Sequence, residues 1–347
     1  MANIKSLIVG GGGGGGKQGG GGGGGDVIYN ASDAVLNQEY AVTVGAGVAC
    51  CTNGNSSSFN SVTATGGGKG ANGDPYIAAG GQANGGGAPV TGAGVYSGGD
   101  GSSYDGGSNT NSANYGGGGG AGDSANGGNG STTNGGAGGA GTSSTIEDGS
   151  TKYYGGGGGG GIYTSGSAGG AGGSSVGGAG SVASADPGNG AVNTGSGGGG
   201  SGINSKDGGT GSAGVVILRY TTATFGDVTI TGVGNTQTVD GSETVAKFIV
   251  TGTITFEAGG DFTLDGETGA LTLTGYDAVI TKGYNLLCET GSLILRGYDA
   301  ILTKSGQTWT NQSKNSASYS NQSKNSASYS NQSKNTATWS NKVKGEK

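Results

Sequence analysis

Ile4-Lys5-Ser6-Leu7-Ile8-Val9 runs directly into Gly10 to Gly16, and far downstream Gly214 gives way to Val215-Val216-Ile217-Leu218-Arg219-Tyr220. Both flanks read as β-strands, being short, β-branched and ended by Gly or Thr. A third candidate strand, Tyr40-Ala41-Val42-Thr43-Val44, lies between them. Of the 91 glycines, 76 precede residue 225. Composition of that kind alone would point to low-complexity disorder. Strands far apart in sequence and enclosing glycine point instead to a β frame around a glycine-built interior.

Few structures can be built from glycine. An α-helix is excluded, since each Gly costs about 1 kcal/mol against Ala. A sheet of pure Gly has no side chains to pack. The extended left-handed threefold helix remains, rising about 3.1 Å per residue, so that Gly155 to Gly161 would span roughly 20 Å. Triplets such as Gly135-Gly136-Ala137-Gly138-Gly139-Ala140 keep their one methyl on a single edge. Strict Gly-X-Y periodicity is missing, which excludes collagen. Ordering each residue costs about 1–2 kcal/mol, most of all for Gly, and a net hydrogen bond returns about 1 kcal/mol. Isolated glycine helices should therefore melt, and only a cooperative bundle clamped by strands or neighbouring subunits would hold.

The 347 residues leave room for two domains by length, with only 31% hydrophobic residues and a formal charge of −6. The charge is uneven, because residues 306–347 carry six lysines and one glutamate. Those lysines stand apart rather than clustered, so nucleic acid is not the partner they imply. Three cysteines are present, Cys50, Cys51 and Cys288. Vicinal cysteines rarely bridge each other and an odd count makes no disulfide framework, so free, buried thiols in a reducing compartment are expected. Met1-Ala2-Asn3-Ile4 enters the first strand with no signal peptide, and no apolar run is long enough to span a membrane. Synthesis in a cytoplasm follows as an expectation.

Three regions can be marked out. Residues 1–224 are the glycine-rich domain. Residues 225–305 turn Thr-rich and alternating, as in Val228-Thr229-Ile230-Thr231 and Leu271-Thr272-Leu273-Thr274. Within them Glu267 to Ala278 returns as Glu289 to Ala300, each unit being two short strands joined at Gly-Tyr-Asp. Stacked strand pairs of this kind suit a β-solenoid or an interwound trimeric β-shaft. Residues 306–347 repeat around Trp309, Tyr319, Tyr329 and Trp339, with Lys314, Lys324, Lys334 and Lys344 in step. An even period keeps those aromatics on one face of an extended chain, which needs partners to be ordered. We read them as oligomer or anchor contacts. The fold class expected is all-β with a polyglycine II helix bundle framed by short strands, followed by a repetitive β-shaft or solenoid.

Gly11 to Gly16 followed by Lys17 fits the phosphate-cradling GxxxxGK pattern, but Gln18 stands where Ser or Thr should hold magnesium. Seven glycines then follow where a helix must start. His is absent from the chain, which removes the commonest general base and metal ligand. Asp100, Asp105, Glu147 and Asp148 do not follow the calcium-loop register. No cofactor, metal or catalysis is therefore expected. Tyrosines among small residues are the usual chemistry of recognition surfaces. Tyr104, Tyr115, Tyr153, Tyr154 and Tyr163 are the candidate receptor contacts, with packing between glycine helices or subunits as the alternative role.

Leu7-Ile8-Val9 into Gly10–Gly16, then Tyr40 to Gly47, Ser57-Ser58-Phe59, Val62 to Gly68 and the closing Gly214 to Tyr220, resembles the glycine-rich domain of bacteriophage tail fibres and related virion proteins. The resemblance covers about residues 1–220 and departs at Cys50-Cys51, where that family carries more Gly and Ala. It implies polyglycine II helices bundled beside β-strands, as in the distal adhesins of T-even phages. It also implies a virion location, homotrimeric assembly, other virion proteins as partners and a host-surface receptor. The alternatives are a purely structural virion decoration protein, and an ice-binding or cell-surface glycine-rich protein.

Overall fold

The structure is a computed structural model. It describes residues 2–73, 79–80, 82–90, 97–109, 116–163 and 168–258, and beyond them the backbone of strand segments between residues 269 and 338. The chain forms two compact units, Met1–Gly259 and Gly260–Lys347. The strands, numbered along the chain, are all-β in character.

The two apolar words that bracket the glycine meet. β1 (Ala2–Val9) pairs antiparallel with β8 (Val215–Thr221), placing Leu7 opposite Ile217 and Val9 opposite Val215. With β2 (Val27–Val35), β10 (Thr236–Asp240) and β11 (Glu243–Phe248) they make a five-stranded sheet in the order β10-β11-β8-β1-β2. A second five-stranded sheet has the order β5-β4-β3-β12-β9. It consists of β3 (Glu39–Thr43), β4 (Ser57–Phe59), β5 (Val62–Ala64), β9 (Phe225–Ile230) and β12 (Gly252–Ala258). A short hairpin joins β6 (Thr142–Ser144) to β7 (Lys152–Tyr154). The first unit thus reaches Gly259 rather than stopping at residue 224. The Thr-rich strands after 224 extend the sheets that the glycine domain begins, β11 on β8 and β12 on β3.

Val215 to Leu218 is a continuous apolar run because both of its faces are buried. Ile8, Val216, Leu218 and Tyr220 face a core shared with Val42, Phe59, Phe248, Ile254 and Phe256. Leu7, Val9, Val215 and Ile217 face the other way, onto Ile146, Tyr154 and Val245. Aromatic rings knit the first core, with Phe225 and Phe256 at 4.5 Å and Tyr220 edge-on to Phe256 at 5.6 Å.

Outside the second core an ion-pair network fastens the 146–152 segment to the first sheet. Glu147 accepts from Lys247 at 2.7 Å and Lys152 at 3.1 Å. Arg219 holds Glu243 and Asp240, both at 2.6 Å, and donates to the Ile146 carbonyl at 3.2 Å. Burial raises the Glu147 carboxyl, but the two ammonium groups outweigh it and hold the group below the usual carboxylate range. Arg219, and then Lys5, do the same for Glu243. Glu147→Gln should cost about 1–2 kcal/mol near pH 7, since it takes the carboxylate from the half-buried Lys247 ammonium and leaves Lys152 with Asp148, at 2.7 Å, as its partner. Chemical denaturation checks this, and an unchanged midpoint would show that the network adds nothing.

The glycine runs have a threefold hydrogen-bond rhythm. Along 10–16 the N–H groups of Gly10, Gly13 and Gly16 donate to Asp26, Gly23 and Gly20, those of Gly11 and Gly14 to Asn55 and Thr52, and those of Gly12 and Gly15 to Ser212 and Gly209. Three different segments are met in rotation. The return run behaves alike, with Gly19, Gly22 and Gly25 donating to Ser201, Gly198 and Gly195, Gly20 and Gly23 to Ala71 and Gly68, and Gly21 and Gly24 to Gly118 and Ala121. In 155–161, Gly157 and Gly160 reach Gly139 and Gly136, while Gly158 and Gly161 reach Gly22 and Gly19. Both glycine runs 10–16 and 155–161 are buried throughout. Packing this close has no room for side chains, because a Cβ on Gly22 would lie 2.1 Å from the Gly13 carbonyl oxygen and one on Gly158 2.0 Å from that of Gly198.

In the second unit the sequence repeat becomes a pairing register. β13 (Gly269–Thr274) runs parallel to β15 (Gly291–Arg296), from Gly269 opposite Gly291 to Thr274 opposite Arg296. β14 (Val279–Ile280) runs parallel to β16 (Ile301–Lys304) with the same offset, Val279 opposite Ile301. The tail continues these sheets. β17 (Gln307–Thr310) sets Trp309 opposite Leu302, and β18 (Ala317–Ser323) sets Tyr319 opposite Leu293. β19 (Ser326–Ser328), β20 (Asn331–Gln332) and β21 (Thr336–Thr338) complete the unit. Tyr329 and Trp339 lie outside the described residues.

Candidate functional site

The bundle has two ends. One adjoins the sheets, where β1 leads into Gly10 and Asp26 leads into β2. The far end is the turn at Lys17 and Gln18, where the run that begins at Gly10 reverses into the run Gly19 to Gly25. Gln18 takes φ 40° there. The turn is pinned from several directions: Lys17 N–H donates to Asn72 Oδ1 at 2.8 Å, Gly73 N–H to the Lys17 carbonyl at 3.0 Å, and Val90 N–H to the Gln18 carbonyl at 3.0 Å. Lys17 Nζ pairs with Asp207 at 2.7 Å, and Lys206 with Asp186 at 2.7 Å. Ile162, fully buried, bridges Gly116 and Val182 at this end and leaves the next residue, Tyr163, 52% exposed.

The five tyrosine candidates do not form one cluster. Tyr163 is at the far end. Tyr115 lies outside the described residues, and the residue after it, Gly116, is the one bridged to Ile162. Tyr104, Tyr153 and Tyr154 belong to the sheet end: the Tyr104 carbonyl accepts from Gly85 at 2.9 Å, and the Tyr153–Tyr154 strand leads into Gly155, whose N–H donates to Thr194. Tyr153 is 43% exposed. Tyr154 is 3% exposed in the second core, its hydroxyl donating to Glu147 Oε2 at 3.3 Å. Burial, and then the Glu147 charge, push its phenol well above the usual range. A surface contact is therefore not open to Tyr154, which packs instead; alternation along β7 turns only one of the adjacent pair outward.

Cys50 and Cys51 are disulfide-bonded, correcting the expectation of free thiols. Cys51 sits at φ 68°, its N–H donating to the Gly15 carbonyl at 3.0 Å and its Sγ lying 3.1 Å from Asn72 Oδ1. Its segment runs beside the first glycine run, Gly14 N–H donating to the Thr52 carbonyl at 2.9 Å.

Asparagine is the residue whose role the sequence reading missed. Its side-chain amide replaces backbone groups where the bundle lacks a partner. Asn84, wholly buried, donates from Nδ2 to the Gly24 carbonyl at 3.0 Å. Asn53, Asn126, Asn129 and Asn189 accept from the N–H groups of Lys69, Asp105, Ser108 and Thr210 at 2.8–3.0 Å. Near the sheet end Asp123 accepts from Val27 N–H at 2.9 Å and from the Thr142 hydroxyl at 2.5 Å. Among the described residues no group of three or more His, Cys, Asp or Glu side chains converges.

A family profile described as a glycine-rich domain matches residues 1–221. No curated protein and no solved structure matches the chain at a significant level.

Proposed function

Because the chain belongs to the glycine-rich domain family over residues 1–221, we propose that it is a non-enzymatic, fibre-like virion component whose glycine domain is a rigid presenting body. In this reading the threefold-bonded runs are polyglycine II helices, and the repeats after residue 260 stack as rungs of a β-shaft. The observation that carries it is the hydrogen-bond rotation along 10–16 and 19–25, which makes a stiff rod without side chains and ends it in pinned, polar loops. The virion setting is supported by the resemblance in word order along residues 1–220. The far end, with Lys17, Gln18 and Tyr163, is the host-facing surface, and the repeat tail with Trp309 and Tyr319 is the anchor.

Gold labelling of the glycine domain and of the tail, separately, on intact particles tests this. Glycine-domain label at a fibre tip beyond the tail label is the expected result. Label spread over a capsid or tube wall would make the protein a decorating element. At the residue level, Tyr163→Ala with Lys17→Ala should reduce adsorption at least tenfold while Tyr153→Ala leaves it unchanged, a tenfold change being about 1.4 kcal/mol. Equal losses from both would refute the far end as the contact.

One observation favours the ice-binding alternative. The outer face of the second sheet carries several hydroxyls, with Thr63 opposite Ser58, Ser58 opposite Thr43, Thr255 opposite Thr229, and Thr231 and Thr253 hydroxyls 3.1 Å apart, interrupted by Glu39 opposite Thr255 and Ala41 opposite Thr253. Thermal hysteresis in purified protein decides it, and its absence removes that reading.

A further inference from the structure

A strand at a sheet edge offers unpaired N–H and C=O groups to any passing chain, and proteins blunt such edges. In the two five-stranded sheets of the first unit three of the four edges are blunted. β2 turns the Asp33 carboxylate inward, where Asn60 binds Asp33 Oδ1 at 2.7 Å and the Ala34 carbonyl at 3.1 Å. Its first N–H, that of Val27, is taken by Asp123, and its register with β1 shifts between Ile4 and Ser6. β5 has three residues, and the pairing of β9 with β12 is broken by a register shift between Phe256 and Ala258. β10 has none of these devices. Thr236-Gln237-Thr238-Val239-Asp240 is exposed at every residue, contains no Pro, Gly or Lys, and pairs with β11 without a shift.

The hairpin fixes which backbone groups are free. Asp240 pairs with Glu243 across a two-residue turn led by Gly241 at φ 61°. Residues 240, 238 and 236 therefore bond toward β11, and 237 and 239 bond outward. The bond from Thr222 N–H to the Ser242 carbonyl, on the opposite side of β11, has the parity this alternation requires.

We propose that β10 is the seam of a homodimer, two copies pairing antiparallel about a two-fold axis through Thr238. The strand is self-complementary in that register. Gln237 exchanges backbone bonds with the partner's Val239, and Val239 with the partner's Gln237, about four bonds in all. Thr238 faces its own copy, and Thr–Thr is a favourable cross-strand pair. The two Asp240 carboxylates, each already held by its own Arg219, fall at opposite ends of the seam. Val239, 66% exposed, gains cover. The interface is isologous and therefore closes, making one continuous sheet from two five-stranded ones. It is smaller than the roughly 800 Å² per partner of a standard interface, so the dimer should dissociate at micromolar dilution. The inference rests on the sheet and not on the virion reading, and it places a two-fold where the resemblance implies a homotrimer.

Sedimentation velocity of the full chain tests it. The wild type should sediment as a dimer at about 100 μM and increasingly as monomer toward about 1 μM, bracketing a micromolar dissociation constant. Val239→Pro removes only an outward N–H and should abolish the dimer, as should Val239→Lys, both with unchanged circular dichroism and melting. Should Val239→Pro melt early, Val239→Lys alone decides. Amide exchange at Gln237 and Val239 should slow with rising wild-type concentration. A monomer at 100 μM, a dimer that survives Val239→Lys, or a trimer would each overturn the two-fold seam, and a trimer would leave the fibre reading standing.

Discussion

Gly22→Ala is expected to lower stability by about 3 kcal/mol or more, enough to leave much of the chain unfolded or insoluble at 37 °C. The added methyl would lie 2.1 Å from the Gly13 carbonyl oxygen, 2.6 Å from its carbon and 3.0 Å from the Gly14 carbon. All three are backbone atoms, and Gly13 is itself tied to Gly23 by its N–H and to Gly198 by its carbonyl. Moving one run therefore moves its neighbours. Gly158→Ala should be as severe, since its methyl would meet the Gly198 carbonyl at 2.0 Å. Gly241→Asn is the contrast: nothing lies within 4 Å of a Cβ there, and Asn tolerates the φ of 61°. It should change stability by less than about 1 kcal/mol. Differential scanning calorimetry on the three variants separates the cases. Ordinary melting of Gly22→Ala would mean that the runs are loosely packed and that the rigid-rod reading is mistaken.

The second large effect is one of pH. Burial pushes the Asp123 carboxyl up from 3.8 to about 6, with the Asp26 carboxylate adding to the rise and the Thr142 hydroxyl and Val27 N–H opposing it. A folded-state pKa above the unfolded one means that the folded protein binds the proton more tightly. The stability linked to this group is complete below pH 3.8 and is lost as pH rises through about 6. Glu147 and Glu243, held below their ordinary value of 4.5, act oppositely and lose their contribution only as pH falls below that value. The protein should thus gain stability between pH 7.5 and 5 and lose it under stronger acid. Asp123→Asn should raise stability at pH 7.5 by about 2 kcal/mol, allowing for solvent screening of a half-buried group, and flatten the profile between pH 5 and 7.5. Urea midpoints of both proteins across that range test this; parallel profiles would remove Asp123 as the cause.

The sequence by itself determined the main strands and the absence of α-helix among the described residues. Short β-branched words such as Val215-Val216-Ile217-Leu218, ended by Gly or Thr, read as strands, and long glycine runs favour neither α-helix nor ordinary sheet. The 22-residue repeat likewise dictated the register in which β13 meets β15 and β14 meets β16. Local pattern suffices for these because each depends on residues near one another in the chain. Tertiary structure decided the rest. Tyr153 and Tyr154 are adjacent and chemically identical, yet one faces solvent and the other Glu147, since only the sheet beneath β7 defines an inside. The Thr-rich strands after residue 224 could have founded a separate domain. They joined the first unit because the edges of β8 and β3 were open to them. Asn84 and Asn72 carry no local sign of their partners at Gly24 and Lys17, for a backbone acceptor or donor has no residue type to announce it. The same holds for the far end of the bundle: which loops gather at Lys17 follows from how the glycine runs reverse, and glycine, having no side chain, leaves that order to backbone hydrogen bonds alone.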